Sequence, residues 1–186
     1  MPVHTLKGGS SYLNAQGQIL YSSEKFNGKD FFEKRTGFVE ATIVNELLQY
    51  PPHPNIVVYN YVKKLDTDYS VSMEEIRPIN DSIDDRTIVL GLTRAKQYLQ
   101  SIGIAYIDWK FGNVGINEDD TVQLFDFDFS GLMVGNKWLR RDGYTFKPRV
   151  GFNLTNALVY CYEDDRPLTP TNIDDAAFNR FIDTLR

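Results

Sequence analysis

Two aspartates set within the segment from Ile104 to Gly131, IAYIDWKFGNVGINEDDTVQLFDFDFSG, restrict what this chain can fold into. Asp108 is followed by Lys110 and then by Asn113, across a turn-prone stretch that holds Gly112. Asp126 lies inside an apolar run, Val122-Gln123-Leu124-Phe125-Asp126-Phe127, where an unpartnered carboxylate is costly. Val114-Gly115-Ile116 and Val122-Gln123-Leu124 read as short strands, and Asn117-Glu118-Asp119-Asp120 supplies the polar turn between them. Such a hairpin puts Asn113 beside Asp126 at its open end, with Asp108 just before it. The product is a group of oxygen acceptors with one lysine, suited to a divalent metal and a phosphate. Two carboxylates ~4 Å apart repel by about 4 kcal/mol at an effective dielectric of 20, so the cluster favours a bound cation.

The pattern resembles the protein kinase family. Its catalytic-loop motif, His-Arg-Asp-Leu-Lys-x-x-Asn, is matched by Tyr106-Ile107-Asp108-Trp109-Lys110-Phe111-Gly112-Asn113, and its Asp-Phe-Gly motif by Asp126-Phe127-Asp128. The Asp, Lys, Asn and second Asp positions agree in type and spacing. Tyr106, Ile107 and Asp128 replace the motif's His, Arg and Gly. The resemblance implies an α+β, two-lobed kinase-like fold with a small β-rich N-lobe and a shortened, mainly helical C-lobe. A single domain over 1–186 is expected, with the N-lobe at about 1–74, the hinge at about 73–78 and the C-lobe at about 79–186.

Taken in order, residues 6–26 read as short strands and turns. Gly8-Gly9-Ser10-Ser11 is a degenerate counterpart of the glycine-rich phosphate loop, or an ordinary hairpin turn. Lys25, on the strand that follows, is the candidate for the lysine that holds the nucleotide phosphates. Phe38 to Tyr50 has helical periodicity (Val39, Ile43, Val44, Leu47, Leu48) and stops at Pro51-Pro52. In the resemblance this helix presents a glutamate to the lysine. Glu40, one turn before Val44 on the same face, is preferred over Glu46. His53-Pro54-Asn55-Ile56-Val57 is similar to the loop that follows this helix in kinases, and His53 reads as structural. Strands are expected over Ile56–Val62 and Tyr69–Met73. Met73-Glu74-Glu75-Ile76-Arg77-Pro78 then resembles the hinge, where Met73, Glu74 and Ile76 would border the adenine.

Asp81-Ser82-Ile83-Asp84-Asp85 signals a helix start, and Thr87 to Ile102 repeats apolar residues at helical spacing up to Gly103. Beyond Gly131 the similarity thins. No Ala-Pro-Glu motif is present, a helix is expected over Phe152–Tyr162, and Asp174–Leu185 reads as a final amphipathic helix.

The activity implied is ATP- and Mg²⁺-dependent (or Mn²⁺-dependent) phosphoryl transfer to a protein Ser/Thr hydroxyl. Asp108 would act as base, Lys110 would neutralise the transferred group, and Asn113 and Asp126 would hold the metal. The alternative is a pseudokinase that binds nucleotide or a partner protein without transfer; a small-molecule phosphotransferase is a third reading. Ile107 in place of the arginine implies activity independent of loop phosphorylation, with Tyr144 and Thr145 the loop's modifiable residues. A net charge of −5 without a long basic block argues against nucleic-acid binding. A lone Cys161 fits a reducing compartment, and no apolar signal or ~20-residue membrane span is read. The expected setting is the cytoplasm, or a host cell's cytoplasm for a viral or effector protein, with ATP and a protein substrate or regulatory protein as partners.

Overall fold

The computed structural model describes residues 22–26, 29–141, 144–145 and 168–185, with side chains described from Phe32 to Arg140 and from Leu168 to Leu185. The Gly8-Gly9 turn, the helix expected over 152–162 and Cys161 lie outside them.

The described residues form a mixed α/β structure of small antiparallel sheets and three helices. Strands β1 (Ser22–Phe26), β2 (Lys29–Thr36), β3 (Tyr59–Lys64) and β4 (Tyr69–Glu74) make a sheet in the order β1-β2-β4-β3. β2 alternates Phe32, Lys34 and Thr36 with Glu33 and Arg35, and the first set is buried. That two-residue period assigns one face of the strand to the interior. Gly37 then breaks the strand, and helix α1 (Phe38–Leu47) starts directly after it. With one residue between strand and helix, β2 and the first turn of α1 are forced into contact.

Helix α2 (Asp85–Ser101) is capped by the Asp84 carboxylate, which accepts the Thr87 N–H at 2.6 Å. It buries Ile88, Leu92, Ala95 and Leu99 along one stripe. Gly103, at φ +83°, turns the chain into β6 (Ile104–Ala105). The expected hairpin is present as β7 (Val114–Ile116) and β8 (Val122–Leu124), and Asn117 Oδ1 closes its turn by accepting the N–H groups of Asp119 and Thr121. β5 (Arg77–Pro78) adds to β7, so the expected hinge phrase is stitched to the hairpin. β9 (Gly131–Val134) pairs with β6 and with β10 (Lys137–Trp138), and β11 (Arg140–Arg141) pairs with β12 (Tyr144–Thr145).

The His53-Pro54-Asn55 phrase is a tie between elements. Asn55 donates from Nδ2 to Val122 O at 2.9 Å, its carbonyl accepts from Leu124 N, and Val57 N donates to Leu124 O. His53 stacks on Tyr98 of α2 with centroids 4.9 Å apart, a structural use of the ring. Helix α3 (Pro170–Asp183) begins four residues before the expected start, because Thr169 caps it and Pro170 suits a first-turn position. Its Phe178 and Trp109 rings meet edge-on at 4.8 Å. No helix among the described residues is long and apolar enough to cross a membrane.

Gly115 sits where β7 passes the segment 76–77. A Cβ there would lie 2.1 Å from Ile76 Cγ2 and 2.7 Å from the Arg77 carbonyl oxygen. Gly115→Ala is therefore expected to destabilise the fold by about 1–3 kcal/mol, read by urea unfolding. A neutral result would show that the β5–β7 contact yields without strain.

Candidate functional site

The site forms where β2, α1 and the two ends of the β7–β8 hairpin converge. Lys34 projects from the buried face of β2, and its ammonium lies 2.8 Å from Glu40 Oε2, 3.2 Å from Asp126 Oδ1 and 3.9 Å from Asp128 Oδ2. Glu40 is fully buried in the first turn of α1. It also accepts the Thr36 hydroxyl at 2.6 Å and the Phe127 N–H at 3.3 Å. One glutamate thus joins strand, helix and the 126–128 segment.

Three carboxylates share one ammonium, and burial together with this imbalance shifts the acidity of Glu40 and Asp126. Burial pushes Glu40 up to about 7; Lys34 opposes the shift, and Asp128 and Asp126 add to it. Burial likewise raises Asp126, against the pull of Lys34. Burial alone would lower Lys34, but Glu40, Asp126 and Asp128 together outweigh it and hold the ammonium charged.

The second half of the site is the segment after β6. Ile107 and Asp126 both have left-handed backbone, at φ 68° and 65°, which residues with a side chain rarely adopt. Buried contacts hold the loop in this shape. Asp174 of α3, fully buried, accepts Ile107 N–H at 2.9 Å and Trp109 Nε1–H at 2.7 Å through Oδ1, and Gln100 Nε2–H at 2.9 Å through Oδ2. Burial raises its pKa, while the Ile107, Gln100 and Trp109 donors work against that shift. Tyr106 donates to Phe125 O at 2.5 Å, and its ring meets Phe127 edge-on at 5.2 Å. Asp108 is thereby fixed with Oδ2 2.9 Å from Asn113 Nδ2 and 3.2 Å from Lys110 Nζ. Lys110 remains 44% exposed at the mouth of the site, whereas Asp108 is buried.

Asn113 and Asp126 flank the open end of the hairpin, where Phe125 N donates to Asn113 O at 3.0 Å. Asn113 Oδ1 is buried and has no hydrogen-bond partner. An orphaned buried oxygen of this kind fits a hard cation, which takes carbonyl and carboxylate ligands. Asp126 meets Lys34 through Oδ1. Glu40, Asp126 and Asp128 also place one oxygen each within 4.8 Å of one another, but Lys34 already supplies the cation among them. Asn113 and Asp126, the pair expected from the sequence, are residues that could hold a metal.

Asp108, Lys110 and Asn113 form one cluster, and Glu40, Asp126 and Lys34 form the other. Glu46 is half-buried and lies outside both. The lysine is a correction. Lys25 was expected to meet Glu40, but Lys25 lies on β1 opposite Asp30, and the side chain on Glu40 is Lys34. The strand that abuts the helix is β2, in a stretch, 27–37, where no element is expected from the sequence. The signal was present as the alternation Phe32, Lys34, Thr36 ending directly at the helix start. Met73 is buried in β4 opposite Phe32 and Tyr59; Glu74 and Ile76 are also buried. Thr36 and Asp174 were missed as well. Asp174 was legible as an acid on the apolar stripe of Ala177, Phe178 and Phe181.

No protein-family model matches the chain. It is 32% identical over 131 residues to a probable serine/threonine-protein kinase of Dictyostelium discoideum. That similarity covers 64% of this chain, and the chain spans only 18% of the length of that relative.

Because Glu40 lies above its ordinary value of 4.5, its contribution to stability is present below about pH 4.5 and is lost as the pH rises through about 7. Lys34→Met removes the shared cation. The expected loss is about 3–5 kcal/mol by urea unfolding at pH 8, and clearly less at pH 5, where the carboxyls can take up protons. Equal losses at both pH values would show that Lys34 does not balance these acids.

Proposed function

We propose that this chain is a compact, two-lobed kinase-like domain that transfers the γ-phosphoryl group of ATP to a protein Ser/Thr hydroxyl. The observation that carries the reading is the Lys34–Glu40–Asp126 triad at the open end of the β7–β8 hairpin, where Asn113 also lies, with Asp108 and Lys110 in the loop just before it. The similarity to a probable serine/threonine-protein kinase supports it.

In this reading Lys34, aimed by Glu40, holds the nucleotide phosphates as a point charge. Asn113 and Asp126 hold Mg²⁺ or Mn²⁺, which supplies charge neutralisation at the phosphates. Asp108 orients the acceptor hydroxyl and takes its proton, help worth roughly 10²–10⁴-fold. Lys110, beside Asp108 and partly exposed, is placed to offset charge on the transferred group. Met73, Glu74 and Ile76 border the base. Because Lys34 fills the role expected of Lys25, Lys34→Ala is predicted to abolish turnover and Lys25→Ala to retain most of it.

ATP turnover with Mg²⁺ or Mn²⁺ on a generic protein substrate tests the proposal. Phosphate transfer lost in Asp108→Asn and Asp126→Asn, by at least 10²-fold, is the expected result. Nucleotide binding without transfer would instead make the chain a pseudokinase that acts through a partner.

Ile107 is buried and apolar where a phosphate-binding arginine stands in the kinase motif. Phosphatase treatment of the purified chain is therefore expected to leave the rate unchanged. A collapse in rate would show that a modified loop residue finds another cationic partner.

A further inference from the structure

Thr36 is a threonine two residues beyond Lys34 on the same face of β2, and its hydroxyl lies between two acids from different parts of the chain. Oγ1 is 2.6 Å from Glu40 Oε2 and 3.1 Å from Asp128 Oδ1, so its single proton is shared between the two acceptors. The hydroxyl and Glu40 are buried, so water competes poorly for that contact, while Asp128 is partly exposed. Asp128 Oδ2 faces the Lys34 ammonium at 3.9 Å, so the same carboxylate reaches both β2 side chains. A glycine at 128 could make neither contact, and would also leave the backbone after Phe127 freer.

We propose that Thr36 is a positioning residue, and that Thr36 with Asp128 forms a latch clasping the 126–128 segment to β2 and to Glu40. The latch acts on the backbone between its two ends. Phe127 N–H, inside the clasped segment, donates to Glu40 Oε1, and Asp126 meets Lys34 through Oδ1. Fixing residue 128 against β2 therefore limits the routes by which Asp126 can leave Lys34. The left-handed backbone of Asp126 needs such restraint, since surrounding structure must hold an unfavourable φ in place. The residue that departs from the kinase motif thus works as a substitute fastener. The significance of the latch for catalysis rests on the phosphotransfer reading; its existence does not.

The test uses the full chain and two readouts on Thr36→Val, Thr36→Ser, Asp128→Gly and the Thr36→Val/Asp128→Gly double variant. The first readout is amide hydrogen exchange at Phe127. Exchange about 10–100-fold faster in Thr36→Val and Asp128→Gly is expected, with no further gain in the double variant and near-native protection in Thr36→Ser. Native protection in Thr36→Val, or equal loss in Thr36→Ser, would overturn the latch. So would fully additive effects of the two substitutions. The second readout is ATP turnover, with kcat/KM expected to fall about tenfold in Thr36→Val and to recover in Thr36→Ser. Coupled exchange in a chain with no turnover at all would sink the kinase reading and leave the latch standing. Normal turnover in a Thr36→Val chain with rapid exchange would deny the latch its positioning role.

Discussion

A single buried ammonium among three carboxylates is the constraint on which the site depends. Lys34 comes from a strand, Glu40 from a helix, and Asp126 and Asp128 from the far end of a hairpin some ninety residues later. Each acid alone would oppose burial; around Lys34 they become the contact that joins these elements. Burial first, and then the excess of negative charge that Lys34 does not fully cancel, keep the Glu40 pKa high. Buried ion pairs seldom add much stability over a packed apolar core, but removing one partner is severe. The cluster is better understood as fixing geometry than as supplying net stability.

A second buried acid performs a similar task with neutral partners. Asp174 gathers the Ile107 N–H, the Trp109 indole and the Gln100 amide at one carboxylate, tying α3 and α2 to the strained loop that carries Asp108. Trp109 and Phe178 then pack the same junction. The loop and the 126–128 segment are each anchored by an acid from a remote element, and Tyr106 links them through the Phe125 carbonyl. The two halves of the candidate site are mechanically connected by this bond and by the Tyr106–Phe127 ring contact.

The departures from the kinase motif also have physical consequences here. Tyr106 replaces a histidine and spends its hydroxyl on the hairpin; Ile107 replaces an arginine and joins the apolar core despite its positive φ. Asp128 replaces glycine and reaches Thr36.

What the sequence by itself determined was local. The alternation around the Asn117 turn specified β7 and β8 residue for residue, the acidic cap and apolar spacing specified α2, and the D-x-K-x-x-N phrase placed Asp108, Lys110 and Asn113 together, because these depend on neighbours a few residues away. Helix periodicity also put Glu40 on the inner face of α1. What only the tertiary structure decided was which lysine meets that glutamate. Lys25 and Lys34 both lie on strands, and local pattern does not say which strand abuts the helix; the one-residue link at Gly37 does, once β2 is seen as a strand. The roles of Thr36, Asp128 and Asp174 were hidden for the same reason. Their partners are between four and ninety-two residues away, and burial converts an ordinary polar side chain into a fastener only when the fold brings those partners within hydrogen-bond reach.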